Sequence, residues 1–290
     1  MFAQSQAYGI IQRVSEEDIQ FESHRVRKSH FDISGKLVLV TGASSGIGFA
    51  IAKAFAEKGA RLVLVARNED RLARALDQIQ PLSPQSFSIV ADITCDNAAT
   101  TIVYAVQNKV GASVDVLVNS AGRGILGRVE DVPVEAYRKA LDLNFVAPTA
   151  LIKAVLPGMK SRQEGQIINI TSGVALRGMP GVSPYCSSKA AFLRLSESLR
   201  VELIRQGVDV IDISPGLVAS EFQKNLNVYG TLKETFTTGK TTSVEAIAAR
   251  VISASRRRER YVSLSWRARL VSIVDLFIPS MIDTLLNRRS

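Results

Sequence analysis

Residues 36–48, KLVLVTGASSGIG, limit what this chain can fold into more than any other stretch. The run 36–41 is apolar and of strand length, as a strand covered on both faces requires. Ile47, Ala50, Ile51, Ala54 and Phe55 then recur at helical spacing until Gly59 ends the pattern. Between strand and helix lies TGASSGIG, with Gly42, Gly46 and Gly48. A turn of this kind needs glycine for positive φ and for close approach of backbone to a ligand. The helix that follows presents unpaired N–H groups and the positive end of its dipole, which suits a pyrophosphate. A tight turn without a ligand is the competing reading, and the flanking strand and helix speak against it.

The same alternation continues down the chain. Strands are expected at 62–66, 87–91, 114–118, 166–171, 208–213 and 260–264. Helices are expected at 69–80, 96–110, 133–158, 184–206 and 243–255. Repeated strand–helix units with buried strands predict an α/β fold. The form expected is a single doubly wound Rossmann-type domain, a parallel seven-stranded sheet with helices on both faces. It should occupy residues 34–265. Residues 1–33, polar and mixed in charge with a helical hint around 8–19, read as an N-terminal extension, and 266–290 as a basic amphipathic tail.

Composition narrows the function. Hydrophobic residues make up 46% and charged residues 22% of 290, an ordinary globular balance. The only histidines, His24 and His30, precede the first strand. That excludes a Ser-His-Asp hydrolase on the main body and leaves little for a histidine metal site, so no metal is expected. Cys95 and Cys186 form no CxxC, and a reducing, cytoplasmic compartment is the default. No run of 18 apolar residues suggests a spanning helix, and the first residues lack the basic and apolar regions of a signal peptide.

SPYCSSK, residues 183–189, is the second informative stretch. Ser183 suits a helix N-cap and Pro184 the first helical position. Tyr185 and Lys189 then stand at i and i+4 on one helical face. A free phenol titrates near pH 10; a neighbouring ammonium, or the positive ring of an oxidised nicotinamide, favours its phenolate. Ser172 ends the strand before this helix, and strand ends and helix starts converge where ligands bind in such folds. Its hydroxyl would orient a substrate carbonyl beside the phenol. Alone, a Tyr-Lys pair reads as an ordinary helix face; the glycine turn upstream changes that.

The spacing Gly-x-x-x-Gly-x-Gly resembles the classical short-chain dehydrogenase/reductase family, and the resemblance runs over residues 35–255. It implies a nicotinamide dinucleotide held by Gly42, Ser44, Ser45, Gly46, Ile47 and Gly48. Asp92 and Ile93 in VADIT would meet the adenine, and NSAG would contribute Asn119, Ala121 and Gly122, with Ser120 a departure from the usual pattern. Pro215, Gly216 and Val218 would follow on the nicotinamide side, with Ser220 where a threonine is usual. Asn144, Ser172, Tyr185 and Lys189 fall at the family's four catalytic positions, and Tyr185 and Lys189 would also touch the cofactor. Asn144 would hold a water relaying protons to Lys189. The family further implies a homodimer or homotetramer built on the helices at 133–158 and 184–206.

Strand two ends LVLVARNED, so Ala66 stands where an acidic residue would accept the adenosine ribose, and Arg67 follows. A carboxylate there repels a 2′-phosphate and a guanidinium grips it, which favours NADP(H). A surface pairing of Arg67 with Asp70 is the alternative.

The tail bears on the substrate. Residues 256–290 hold eight arginines against Glu259, Asp275 and Asp283, a surplus of five within a total of +9. Leu270, Val271, Val274, Phe277, Met281, Ile282, Leu285 and Leu286 share one helical face that Pro279 kinks or divides. Two readings stand: a helix in a membrane interface, giving peripheral contact through 266–290, or one packed on its own domain or a sister subunit. The first would suit a hydrophobic, lipid- or steroid-like carbonyl or alcohol as the small-molecule substrate. Arg123 and Arg177 either face the mouth of the site or are solvated, and the loop 217–242 suits a lid. The expected activity is NADP(H)-dependent hydride transfer between nicotinamide and a ketone or secondary alcohol. The alternatives are a 3-oxoacyl-carrier-protein-type reductase and a non-catalytic NADP(H)-binding regulatory protein. With no recognisable module, nucleic acid is not an expected partner.

Overall fold

A computed structural model describes residues 30–218, 226–230 and 241–287, the side chains of 266–268 excepted. The helical hint at 8–19, Ser220 and most of the expected lid lie outside these residues. The chain divides into two units, Met1–Phe31 and Asp32–Ser290, and the second carries every element below.

In chain order the elements begin β1 (Leu37–Thr41), α1 (Gly46–Ala56), β2 (Arg61–Ala66), α2 (Glu69–Ile79), β3 (Phe87–Val90), α3 (Ala98–Val110), β4 (Val116–Asn119) and β5 (Ile125–Leu126). Next come α4 (Val134–Leu141), a π-helical turn at Asp142–Val146, α5 (Ala147–Arg162), β6 (Gly165–Ile170), a 3-10 turn at Gly173–Ala175, α6 (Ser183–Glu202) and β7 (Val208–Ser214). The remainder are β8 (Asn227–Val228), α7 (Val244–Arg257), β9 (Tyr261–Ser263), α8 (Trp266–Phe277) and α9 (Pro279–Asn287). Seven strands form one parallel sheet in the order β3-β2-β1-β4-β6-β7-β9, while β5 and β8 pair apart from it.

The continuous apolar runs of the strands follow from this double covering. Leu37, Leu39, Val63, Val65, Leu117, Ile167, Val208 and Val210 share a core with Ile102 of α3, Leu151 and Val155 of α5 and Phe192 of α6. Their strand neighbours Val38, Val40, Leu62, Leu64, Val116, Val118 and Ile168 point the other way and are buried too. On that second face α1 packs against α7. The expected doubly wound architecture is what forms.

Two local readings need correction. The helix expected at 133–158 runs from Val134 to Arg162 and is interrupted by the π turn, because Pro148 has no N–H for the Asn144 carbonyl, the acceptor four residues back. The helix expected from a Ser183 cap begins one residue earlier, on Val182, and the Ser183 hydroxyl instead pairs with the Tyr137 hydroxyl at 2.6 Å. Val134–Arg162 is also long and apolar enough, by length and composition alone, to cross a membrane. Its Leu151, Ile152, Val155 and Met159 lie in the sheet core, which accounts for that composition.

Candidate active site

Strand order leaves β1 in one direction through β2 and β3 and in the other through β4 and beyond. The crevice at such a reversal, beyond the carboxyl ends of the strands, is where open parallel sheets bind ligands. Apart from Asn144, which sits in the π turn between α4 and α5, the candidate residues taken from the sequence lie on that edge. Gly42 to Gly48 follow β1, Arg67 follows β2, Asp92 and Ile93 follow β3, and Asn119 to Gly122 close β4. Ser172 follows β6, Pro215, Gly216 and Val218 follow β7, and Tyr185 and Lys189 occupy the first turns of α6.

The β1–α1 turn is shaped around its glycines. Gly42 has φ +66°, and a Cβ there would stand 2.9 Å from the Ala121 Cα. A Cβ on Gly48 would run into the Gly42 carbonyl oxygen. Thr41 completes the junction: its hydroxyl accepts the N–H groups of Ser120 (3.1 Å) and Ala121 (3.2 Å), which draws NSAG against the turn. No side chain caps α1 at Ser45, and no acid stands in its first turn.

The catalytic candidates converge. The Tyr185 side chain hydrogen-bonds to Ser172. The Lys189 Nζ donates to the Ile170 carbonyl at 2.9 Å and lies 5.9 Å from the Tyr185 ring centre. A Cβ on Gly122 would sit 3.0 Å from Asn144 Oδ1 and 3.4 Å from Lys189 Nζ, so the bare glycine lets these groups close up. The expected acidification of the phenol is not present in this arrangement. Burial pushes Tyr185 up to about 12, which the Ser172 hydrogen bond only partly offsets. Burial likewise brings Lys189 down to about 8. Both groups are drawn toward their neutral forms by dehydration.

The Asn144 side chain is fixed by its neighbours. Its Nδ2 donates to the Arg123 carbonyl (3.1 Å) and to the Ser188 hydroxyl (3.0 Å), while its Oδ1 accepts the Arg123 N–H (3.1 Å). Both amide protons are used, so the side chain braces the β4 loop against α6. Asn119 is similarly turned inward, donating to Asn169 at 2.9 Å.

Residues 36–229 match the model of the short chain dehydrogenase family. The chain belongs to that family. This short-chain dehydrogenase is 41% identical over 191 residues to a short chain dehydrogenase of Pseudocercospora fijiensis, covering 65% of the present chain and 62% of that protein. It thus spans less than two thirds of that relative's length. An alcohol dehydrogenase of the archaeon Thermococcus sibiricus, complexed with 5-hydroxy-NADP, superposes with a TM-score of 0.69. The two are 28% identical over 80% of this chain and 95% of that one. A short chain dehydrogenase/reductase of Burkholderia phymatum in complex with NAD shares the fold, with TM-score 0.78 at 21% identity over 87% and 96% of the two chains. The family consists of oxidoreductases that bind a nicotinamide cofactor.

The crevice of this short-chain dehydrogenase fits such a group. The uncapped start of α1, free of acids, offers Ser44, Ser45, Gly46 and Ile47 backbone to a pyrophosphate, and the glycines keep the cradle open. At the adenosine end Arg67 pairs with neither Asp70 nor open solvent alone. Its NH1 lies 3.4 Å from Asp92 Oδ2, with the guanidinium about half exposed at 54%. Burial raises the Asp92 carboxyl, but its hydrogen bonds to Thr94 and the Arg67 charge hold it below its usual range.

Arg177 is neither solvated nor at the mouth as a free cation. It bonds Asp275 of α8 at 2.7 Å and Asp283 of α9, tying both tail helices to the segment after Ser172. A cavity of about 420 Å³ lies between α9 and the start of α6, walled by Arg177, Met179, Ser183, Cys186 and Leu286 among others. Tyr185 and Ser172 do not line it. The sequence reading gave no role to Thr41, Tyr137, Asn169 or Ser188 and, though it named Arg177, did not give its ties to the tail; these contacts reach 44 to 106 residues along the chain, apart from Asn169 to Ser196 at 27. Only Thr41, next to the first glycine, carries a local signal.

Proposed function

We propose that this chain is an NADP(H)-dependent oxidoreductase that interconverts a ketone and a secondary alcohol on a hydrophobic, lipid- or steroid-like substrate. The observation that carries the reading is the buried Tyr185 hydroxyl hydrogen-bonded to Ser172 beside Lys189. When bound, the dinucleotide supplies or removes the hydride. The chain does the rest. Ser172 holds the substrate oxygen next to the phenol, and Tyr185 passes its proton to that oxygen in reduction. A phenol drawn up to about 12 is fully protonated at neutral pH, the form a general acid needs. Lys189, when protonated, favours the phenolate left behind. With both side-chain amide protons of Asn144 committed, its part in proton relay falls to the main chain.

Arg67 supports the choice of NADP(H): it is the cation at the end of β2, and a 2′-phosphate would compete with Asp92 for it. Assembly as a homodimer or homotetramer through α4, α5 and α6 belongs to the same proposal.

The test is NADPH oxidation by the purified protein against steroid, 3-keto-lipid and small aromatic carbonyls. Tyr185→Phe should cut kcat on any active carbonyl by at least about a thousandfold with little change in NADPH binding. Turnover near wild type would remove Tyr185 from the chemistry. In the same assay Arg67→Ala should raise the KM for NADPH about tenfold or more and leave that for NADH nearly unchanged; equal effects on both would reject the phosphate assignment.

A further inference from the structure

The tail helices present an apolar surface that the rest of the domain leaves uncovered. α8 ends at Phe277 and α9 begins at Pro279, so Ile278 is the bend of a helical hairpin. Leu276 and Phe277 are each 80% exposed, and Ile278, Met281, Leu285 and Leu270 are 43–50% exposed around them. Ile282 alone on α9 is deeply buried. The apolar face read from the sequence therefore splits. Ile282, with the partly covered Leu286, turns toward the protein, while Leu270, Phe277, Met281 and Leu285 turn away. The hairpin is held in this pose by Arg177, which bonds Asp275 on one helix and Asp283 on the other.

That clamp has an electrostatic consequence. Asp275 and Asp283 are the only acids in residues 264–290, and a cation from outside the tail satisfies both. By sequence those two acids stand against four arginines in the same segment, so the tail carries a surplus of positive charge. An apolar apex on a segment of net positive charge matches a surface that is apolar within and negative at its rim.

We propose that the α8–α9 hairpin docks this protein on an anionic lipid bilayer, with Leu276, Phe277 and Ile278 entering the interface and the arginines meeting the headgroups. Insertion places the bilayer beside the Gly173–Ala175 turn, which α8 contacts just after Ser172. Docking does not depend on catalysis or on which dinucleotide is bound.

The test is co-sedimentation of the full chain with sucrose-loaded vesicles of pure phosphatidylcholine and of 30% phosphatidylserine in phosphatidylcholine, at low and high salt. Wild type should bind the anionic vesicles at least about tenfold more tightly than the neutral ones and weaken as salt rises. Leu276→Asp/Phe277→Asp, at two exposed positions, should lose at least about tenfold of that binding while folding and NADPH turnover stay at wild-type levels. Equal sedimentation of wild type and variant, or no wild-type binding at all, overturns the proposal. So does a variant that changes only the oligomer mass by light scattering, which would assign the face to a second copy of the chain.

Discussion

A phenol and an amine whose ring-centre separation is 5.9 Å, each pulled toward neutrality by burial, form a poised pair. The cost is measurable without substrate. Lys189 titrates near 8 in the folded chain against a usual 10.5, a difference of about 3 kcal/mol. Below pH 8 both states carry the proton and the folded state bears the full penalty. Between 8 and 10.5 the unfolded chain keeps the proton that the folded chain has released, so stability rises with pH. Tyr185, drawn upward, acts in the opposite sense only above pH 10. Urea unfolding from pH 7 to 10 should therefore show a rise in wild type that Lys189→Met lacks; parallel curves would deny the shift. The positions of Tyr185 and Lys189 were legible in SPYCSSK because a helix repeats locally. Their environment was not: burial of the amine and the loan of its proton to Ile170 depend on β6, nineteen residues back.

At the scale of elements, the sequence is most legible where pattern and backbone demand coincide. The β1–α1 turn is such a place, and it makes a sharp prediction. Gly48→Ala puts a methyl against the Gly42 carbonyl, a backbone atom that cannot swing aside. Relief requires shifting the turn, at about 1–3 kcal/mol by analogy with overpacked cores. Thermal unfolding should fall accordingly, and dinucleotide titration should weaken at least about tenfold, because the same shift closes the cradle. Gly178→Ala serves as the control: nothing lies within 4 Å of its added methyl, and its stability should not change. The α4–α5 break was hidden for the converse reason. Apolar periodicity runs through it, and only Pro148 betrays that the Asn144 carbonyl loses its regular donor. The tail lay between these cases. Pro279 foretold the division into two helices, but not that Arg177, 98 residues before Asp275, would fix which apolar side chains face the protein.

Across the whole molecule, the sheet and the catalytic helix are joined by a buried polar chain. Asn119 of β4 donates to Asn169 of β6 at 2.9 Å, Asn169 donates to Ser196 of α6 at 2.8 Å, and Ser196 donates to the Phe192 carbonyl at 3.0 Å. All three side chains are essentially inaccessible to solvent. Asn119 Oδ1 has no partner among the described residues, so the chain already runs close to its limit of satisfaction. Hydrophobic packing alone would let α6 slide along the sheet by fractions of an ångström; directional bonds do not. Tyr185 and Lys189 ride on α6, whereas Ser172 hangs from β6, so their register depends on that link. Asn169→Ala strands the Asn119 amide and should cost about 2–4 kcal/mol, as an unmet buried donor plus a small cavity. Asn119→Leu/Asn169→Leu removes both partners and should recover most of that stability. Activity separates register from stability. If the link sets the alignment of Ser172 with Tyr185, the double variant stays at least about tenfold low in kcat, with NADPH affinity near wild type. Recovery of kcat together with stability would reduce the link to a structural brace.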